Sequence, residues 1–143
     1  FDFKIKTSRL VFLSDYAHHP AEIAQSVKSV RELYKDKKIT AIFQPHLYTR
    51  TRDFYKDFAD SLSLLDEVIL TEIYPAREQP IPGVSSRLIY DNLRPGIEKC
   101  ICPKEDILNL LSKKSVEVLI VLGAGDLDNY VPSITQLLEQ QSK

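Results

Sequence analysis

The feature that most limits the fold is a largely apolar run at positions 116–122. Six of its seven residues are Val, Leu or Ile, and it ends at the small residues Gly123, Ala124 and Gly125. Strands that are apolar on both faces are typical of parallel sheets, in which helices cover both sides. The run therefore predicts a buried strand of a parallel sheet.

Short apolar segments alternate with amphipathic segments along the rest of the chain. Their periodicities predict strands at 1–5, 10–13, 39–43, 68–73, 99–102 and 116–122, and helices at 20–35, 51–65, 85–93, 103–112 and 131–140. Such alternation implies right-handed crossovers and a mostly parallel sheet. The first two strands lie close enough in sequence to form a β-hairpin. The pattern predicts a doubly wound α/β domain with an N-terminal β-hairpin and leaves the strand order open.

Length and composition limit the classes of protein. The 143 residues correspond to one domain, and a hydrophobic content of 43% is sufficient for a core. The net charge of -1 argues against a nucleic-acid-binding protein, which would have a basic excess. No apolar run is long enough to cross a membrane, and no signal peptide is recognisable. Because Phe1 rather than Met begins the chain, we expect a fragment or a processed product.

Two cysteines, Cys100 and Cys102, lie two residues apart on a predicted strand, so they share a face. A zinc site requires further ligands at a suitable spacing, and the sequence offers none nearby. We therefore expect two reduced, structural thiols in a reducing compartment.

Candidate functional residues follow the predicted strands. In open parallel sheets, ligands bind beyond the carboxyl ends of the strands. The three histidines of the chain, His18, His19 and His46, all lie in loops that follow strands. His18 and His19 also precede a predicted helix, whose dipole disfavours a charged imidazole, so we expect them to be neutral. His19 is equally well explained as a helix cap, and a metal site is the less favoured interpretation.

Cations also lie at the start of the next predicted helix. Arg50 and Arg52 oppose its dipole, and Asp53 offsets part of that cost. An anion in the same cleft would offset the rest, because helix N-termini and guanidinium groups both favour carboxylate or phosphate. We assign Arg50 to such an anion site and leave Arg52 open between that site and a surface ion pair.

Two further features suggest a nucleotide. Asp15 ends a predicted strand, where its carboxylate would accept ribose hydroxyl groups or help to set a metal-bound nucleotide, or else cap the following helix. Gly123, Ala124 and Gly125 resemble a phosphate-binding turn but lack the third glycine of the dinucleotide fingerprint. The simpler interpretation of these residues is close backbone approach with free N–H groups at the helix start. The chain contains no P-loop motif, so it is not a complete P-loop ATPase.

Several of these segments together resemble one family. Residues 15–20, Asp-Tyr-Ala-His-His-Pro, resemble the Asp-Tyr-Gly/Ala-His-His-Pro motif of the UDP-N-acetylmuramate–L-alanine ligases, a branch of the Mur ligase family. Residues 43–53, Phe-Gln-Pro-His-Leu-Tyr-Thr-Arg-Thr-Arg-Asp, are similar to a second motif of its C-terminal domain. Further matches are residues 73–78, 81–84 and 123–126.

The resemblance implies that residues 1–143 form one Rossmann-like, three-layer C-terminal domain. This domain closes over an active site built mainly by an N-terminal UDP-sugar domain and a central ATPase domain. The full enzyme would add L-alanine to UDP-N-acetylmuramate through an acyl phosphate, using ATP and Mg²⁺ held mostly by the central domain, in the bacterial cytoplasm.

For this chain, the resemblance assigns no metal ligand and no catalytic residue that acts alone, so we expect the isolated domain to be inactive. Asp15 matches an ATP-contacting position. The positions that match the amino-acid and product side or border the same cleft are Tyr16, His18, His46, Arg50, Gly123, Ala124 and Gly125. Leu47 stands where many members have arginine, and any anion contact from that side chain is lost.

Two other kinds of protein share part of this pattern. A dinucleotide-binding oxidoreductase domain would carry its glycines after the first strand, where this chain has Asp15 to His18, so we do not favour it. A stand-alone Rossmann-like binding or regulatory module would share every feature above. Only the sequence upstream of this segment would separate that module from a ligase domain.

Overall fold

The computed structural model describes residues 1–141. Its strands are β1 (Asp2–Lys6), β2 (Val11–Asp15), β3 (Ile39–Phe43), β4 (Glu67–Leu70), β5 (Glu98–Ile101) and β6 (Val118–Leu122). Its α-helices are α1 (Pro20–Leu33), α2 (Tyr48–Leu62), α3 (Arg87–Asn92), α4 (Ile107–Ser112) and α5 (Val131–Gln141). Short 3-10 turns at Lys104–Asp106 and Asp126–Tyr130 precede α4 and α5. The predicted alternation of strands and helices is confirmed.

The six strands form one sheet in the order β1-β2-β6-β3-β4-β5. β1 pairs antiparallel with β2, and every other pairing is parallel. The predicted hairpin and mostly parallel sheet are thus confirmed. β6 lies between β2 and β3, and all five of its residues are buried, which explains why it is the most apolar run in the sequence.

Helices cover both faces of the sheet. Side chains of α1, α2 and α3 pack with one face of the strands in a first core cluster, which includes Ile23, Phe58 and Ile89. Side chains of α4 and α5 pack on the other face in a second cluster, which includes Ile107 and Ile134. Each such fully buried side chain contributes roughly 1.5–3 kcal/mol to folding. The three-layer arrangement is confirmed.

Within residues 1–141, no helix is both long and apolar enough to span a membrane.

Several element boundaries differ from the pattern: α4, for example, begins at Ile107 rather than at position 103, because residues 104–106 form a 3-10 turn. Two of the differences lie beside the candidate site. β4 ends at Leu70 rather than at position 73. Helix α2 begins at Tyr48, three residues before the predicted start, and Leu47 is its N-cap with a φ of 73°. The Thr51 backbone N–H and hydroxyl both donate to the Leu47 carbonyl, so this polar first turn is held by hydrogen bonds that hydrophobic periodicity does not report.

The two cysteines pack in the second core cluster, and both are free thiols. Burial raises the pKa of the Cys102 thiol to about 11 and also raises the pKa of Cys100. Because only the thiolate reacts, we expect iodoacetamide at pH 8 to modify Cys102 at least about tenfold more slowly in the native chain than in denaturant. Mass spectrometry of labelled peptides measures this. Stoichiometric zinc in the purified chain would contradict the structural role.

Candidate functional site

The candidate site lies where three parallel strands end at the same level. Asp15 of β2, Leu122 of β6 and Phe43 of β3 are in register. The chain continues from them into Tyr16, Gln44 and Gly123, so three loops meet at one edge of the sheet. The structure therefore brings together the segments that the sequence analysis singled out, and the strand order explains how.

His46 and Arg50 form the centre of this edge. The Arg50 Nη1 atom lies 3.0 Å from His46 Nδ1. Arg50 lies in the first turn of α2, and His46 lies two residues before the first helical residue, Tyr48. A guanidinium group only donates, so His46 Nδ1 accepts and its proton lies on Nε2. Burial first, and then the Arg50 charge, lower the pKa of His46, which is therefore neutral at pH 7. Within residues 1–141, no carboxylate forms an ion pair with Arg50, so its charge is available to an external anion.

His18 contacts His46 from the neighbouring loop. The ring centroids of His18 and His46 are 5.6 Å apart in an edge-to-face arrangement. His18 Nδ1 lies 3.0 Å from the Tyr16 carbonyl oxygen, which only accepts, so His18 carries its proton on Nδ1. The two histidines are consequently opposite tautomers when neutral. His18 presents an acceptor at Nε2, and His46 presents a donor there.

His19 is the N-cap of α1, as one of its two interpretations predicted. The Glu22 carboxylate accepts hydrogen bonds from the backbone N–H groups of His18 and His19 at 3.3 and 3.1 Å, and these bonds lower the pKa of Glu22. One atom of each of these three side chains lies within 4.8 Å of the others, which is close enough for a metal ion. The capping bonds explain this clustering without a metal.

Asp15 is held by its own loop and helix. Its carboxylate accepts the Ala17 N–H at 3.0 Å and the Ser26 hydroxyl at 2.6 Å. An open surface pocket of about 550 Å³ lies beside it and also contacts Tyr16 and His18. Each carboxylate oxygen keeps a second lone pair, so Asp15 retains the capacity to accept a hydroxyl group from a ligand in that pocket.

Tyr16 extends over the surface and is 60% exposed. Its hydroxyl donates to Asp128 at 2.6 Å, and this hydrogen bond raises the pKa of Tyr16. Asp128 belongs to the 3-10 turn that follows β6. The contact joins the loop after β2 to the segment after β6 along the rim of the cleft.

The turn of Gly123, Ala124 and Gly125 lies against Gln44. Gly123 has a φ of 138°, and a Cβ there would lie 2.9 Å from the Gln44 carbonyl oxygen. A Cβ at Gly125 would lie 2.5 Å from Gln44 Oε1 and 2.8 Å from the Tyr74 side chain. The close approach of neighbouring atoms thus explains why both positions are glycine, which is the simpler of the two interpretations of this turn.

Sequence reasoning assigned no role to three residues that shape this edge. Gln44 is 1% exposed, accepts the Leu127 N–H at 2.9 Å and donates to Asp126 at 2.8 Å. Tyr74 stacks on His46 with centroids 5.6 Å apart and planes 10° apart. Glu78 accepts hydrogen bonds from the Thr49 N–H and hydroxyl, which lower its pKa. The signals for all three were their positions shortly after β3 or β4 and their place within residues 43–53 and 73–78, the segments that resemble the family.

Glu78 and Asp53 account for part of the charge at the start of α2. The Glu78 carboxylate accepts the Thr49 N–H in the first turn of α2, so a carboxylate of the chain itself faces the positive end of the helix dipole. Arg52 pairs with Asp53 at 2.9 Å, and both side chains are half exposed. Arg52 is therefore a surface ion-pair residue, whereas Arg50 points to the cleft beside His46.

Comparison with known proteins agrees with this architecture. A family model described as "Mur ligase, glutamate ligase domain" matches residues 2–127. The chain belongs to the Mur ligase family. Two curated relatives of this Mur ligase domain are the UDP-N-acetylmuramate–L-alanine ligases of Phocaeicola vulgatus, 76% identical over 141 residues, and Parabacteroides distasonis, 55% identical over 141 residues. These matches cover 99% of this chain but only 31% and 30% of the relatives.

Solved structures share the fold of this Mur ligase domain. The UDP-N-acetylmuramate–alanine ligase of Thermotoga maritima matches with a TM-score of 0.71 and 29% identity, covering 95% of this chain and 28% of that chain. A murein peptide ligase of Psychrobacter arcticus matches with a TM-score of 0.74 and 15% identity, covering 96% and 29%, respectively. The second likeness concerns the fold alone.

Proposed function

We propose that this domain is the C-terminal domain of a UDP-N-acetylmuramate–L-alanine ligase, which uses ATP to join L-alanine to UDP-N-acetylmuramate in peptidoglycan synthesis. The observation that carries the proposal is the Arg50 guanidinium, which lies beside a neutral His46 and has no carboxylate partner within residues 1–141. The 76% identity to a ligase of that name over 141 residues supports the same substrate.

The remaining parts of the enzyme would come from a longer protein. The chain spans about 30% of the length of its relatives, which leaves room for a UDP-sugar domain and a central P-loop domain. The absence of a P-loop in this sequence supports that division of labour. We place the enzyme in the bacterial cytoplasm, where the nucleotide substrates are made.

Alanine would bind through both of its charged ends. Arg50 would receive the carboxylate through the N–H groups that do not bind His46. His18 Nε2, an acceptor in the tautomer fixed by the Tyr16 carbonyl, would accept a hydrogen bond from the ammonium group. These contacts orient the amine toward its target, so the contribution of this domain is proximity and charge positioning.

The chemistry would proceed in two steps on the sugar. The lactyl carboxylate attacks the γ-phosphorus of ATP, which forms an acyl phosphate and releases ADP. The alanine ammonium group first loses one proton to solvent, and the resulting amine attacks the acyl carbon. Phosphate then leaves, and the nitrogen loses a second proton as the amide forms. Closure of this domain would exclude water from the labile acyl phosphate.

The residues of this domain are suited to make only a few of the contacts that hold the nucleotide. Asp15 retains lone pairs for a hydroxyl group, and the adjoining pocket is open. The carboxylates nearest the cleft are already engaged: Asp126 pairs with Lys104 at 2.6 Å, and Glu78 bonds to Thr49. This supports an assignment of Mg²⁺ mainly to the central domain, where it would neutralise phosphate charge.

The test is ligation by the full-length protein and by this 143-residue chain. With ATP, Mg²⁺, UDP-N-acetylmuramate and L-alanine, the full-length protein is expected to form UDP-N-acetylmuramoyl-L-alanine, detected by mass spectrometry, and the chain alone is expected to form none. Omitting each substrate in turn provides the controls. Turnover by the chain alone, or a full-length protein that prefers another amino acid, would refute the proposal.

A further inference from the structure

We propose that Tyr74 is a positioning residue that holds His46, and through it the Arg50 guanidinium, in the orientation that receives a carboxylate. The inference rests on the proposed function of Arg50. It adds to the amino-acid pocket a residue from the loop after β4, which neither composition nor strand pattern marks as functional.

The Tyr74 ring restricts one face of the His46 imidazole. The two rings are nearly parallel, with an interplanar angle of 10° and centroids 5.6 Å apart, which is an offset stack. His18 contacts the same imidazole edge to face. With Arg50 Nη1 bound 3.0 Å from Nδ1, the His46 ring is fixed by three neighbours. Removing the Tyr74 ring would open one face of the imidazole and permit a rotation about its χ2 bond that breaks the bond to Arg50.

The backbone of Tyr74 fixes the segment that carries His46. Its N–H donates to the Pro45 carbonyl, and its carbonyl accepts from the Leu47 N–H, both at 2.8 Å. His46 lies between these two bonds. The next residue, Leu47, adopts a φ of 73° and a ψ of 138°, a region that non-glycine residues rarely occupy. Such strain costs on the order of 1–3 kcal/mol and persists only where the surroundings impose it. The segment from Pro45 to Leu47 is therefore held in one conformation at the start of α2.

The same side chain borders the glycine turn. A Cβ on Gly125 would lie 2.8 Å from both Cβ and Cγ of Tyr74, so the ring fills the space that this glycine leaves open. Tyr74 thus contacts both the His46–Arg50 pair and the turn after β6. No hydrogen bond to the Tyr74 hydroxyl is found within residues 1–141, so the ring, rather than the hydroxyl, performs the positioning.

Substitutions at Tyr74 test the role of the ring alone, because both backbone hydrogen bonds of this position remain in any variant except proline. In the 143-residue chain, ¹⁵N NMR of the imidazole reports the His46 tautomer. The native chain and Tyr74→Phe are expected to show a proton on Nε2, and Tyr74→Ala is expected to show a mixture of tautomers.

In the full-length protein, Tyr74→Ala is expected to raise the KM for L-alanine about tenfold, while the KM for the UDP-sugar stays constant. Tyr74→Phe is expected to restore most of the alanine affinity.

Tyr90→Ala is the matched control, because it removes a half-buried tyrosine ring that packs against the first core cluster from α3. It is expected to lower stability but to leave the His46 tautomer unchanged. An unchanged tautomer in Tyr74→Ala would overturn the inference, as would a changed tautomer with native alanine KM. If the native full-length protein does not ligate L-alanine, the proposed function fails, and the NMR comparison still decides whether Tyr74 positions His46.

Discussion

Replacing Arg50 with alanine in the full-length protein is expected to lower kcat/KM for L-alanine by about ten- to a hundredfold, mainly through KM. The lost interaction is a charge-assisted hydrogen bond to the substrate carboxylate, worth roughly 1.5–3 kcal/mol. The KM for the UDP-sugar should change little. Steady-state kinetics with each substrate varied in turn measure the effect. Arg50→Lys should recover only part of the loss, because an ammonium group lacks the planar fork of a guanidinium.

Arg52 offers the control on the same helix. It is half exposed and paired with Asp53, so Arg52→Ala removes a similar side chain without touching His46. We expect Arg52→Ala to alter alanine kinetics less than about twofold, because exposed ion pairs contribute little. Equal effects of the two substitutions would show that general positive charge at this edge, rather than a specific site at Arg50, attracts alanine.

Gly123→Ala is expected to destabilise the domain by about 3 kcal/mol and to lower its Tm by about 10 °C. Two costs combine in this residue. Its φ of 138° is strained for any residue with a side chain, and the new Cβ would lie 2.9 Å from the Gln44 carbonyl oxygen. That oxygen belongs to the backbone just after β3, where the Gln44 N–H is bonded to Leu122, so it cannot move aside without disturbing the sheet edge. Calorimetry of the 143-residue chain measures the change.

Gly83→Ala separates the two costs. Gly83 has a φ of 80°, but a Cβ there would contact nothing within 4 Å. Its substitution should therefore carry only the conformational strain, about 1 kcal/mol. If Gly123→Ala were no more destabilising than Gly83→Ala, the turn after β6 would have to be more adaptable than its packing against Gln44 indicates.

The difference between Arg50 and Arg52 illustrates the limit of sequence reasoning at the site. Both follow a strand and lie near a helix start, so position alone assigns them similar roles. The tertiary structure separates them, because α2 begins at Tyr48 and directs Arg50 back toward His46 one turn earlier. Arg52 lies on the solvent side, where its own neighbour Asp53 neutralises it. The orientation depends on a helix start that is stabilised by hydrogen bonds rather than by apolar periodicity.

The anion expected at the start of α2 is a second example. The dipole argument correctly required a negative charge there, but sequence could not tell whether it would come from a ligand or from the chain. Glu78, in the loop after β4, supplies part of this charge by accepting hydrogen bonds from Thr49, while Arg50 has no carboxylate partner within residues 1–141. Because β4 lies beside β3 in the sheet, the loop that follows β4 is next to the start of α2, and strand order was not readable from the sequence.

The sequence by itself determined the elements, the fold class and the edge of the sheet at which the candidate residues lie. These follow from local burial, since a strand such as β6 that is covered on both faces must be apolar throughout. Only the tertiary structure decided that Tyr74 stacks on His46 and that Gln44 lies against Gly123. Each of these contacts joins loops from strands that are distant in the chain and become neighbours only through the order β2-β6-β3-β4. The hydrophobic pattern of a sequence predicts whether a residue is buried, but it does not predict which residue of another loop it contacts.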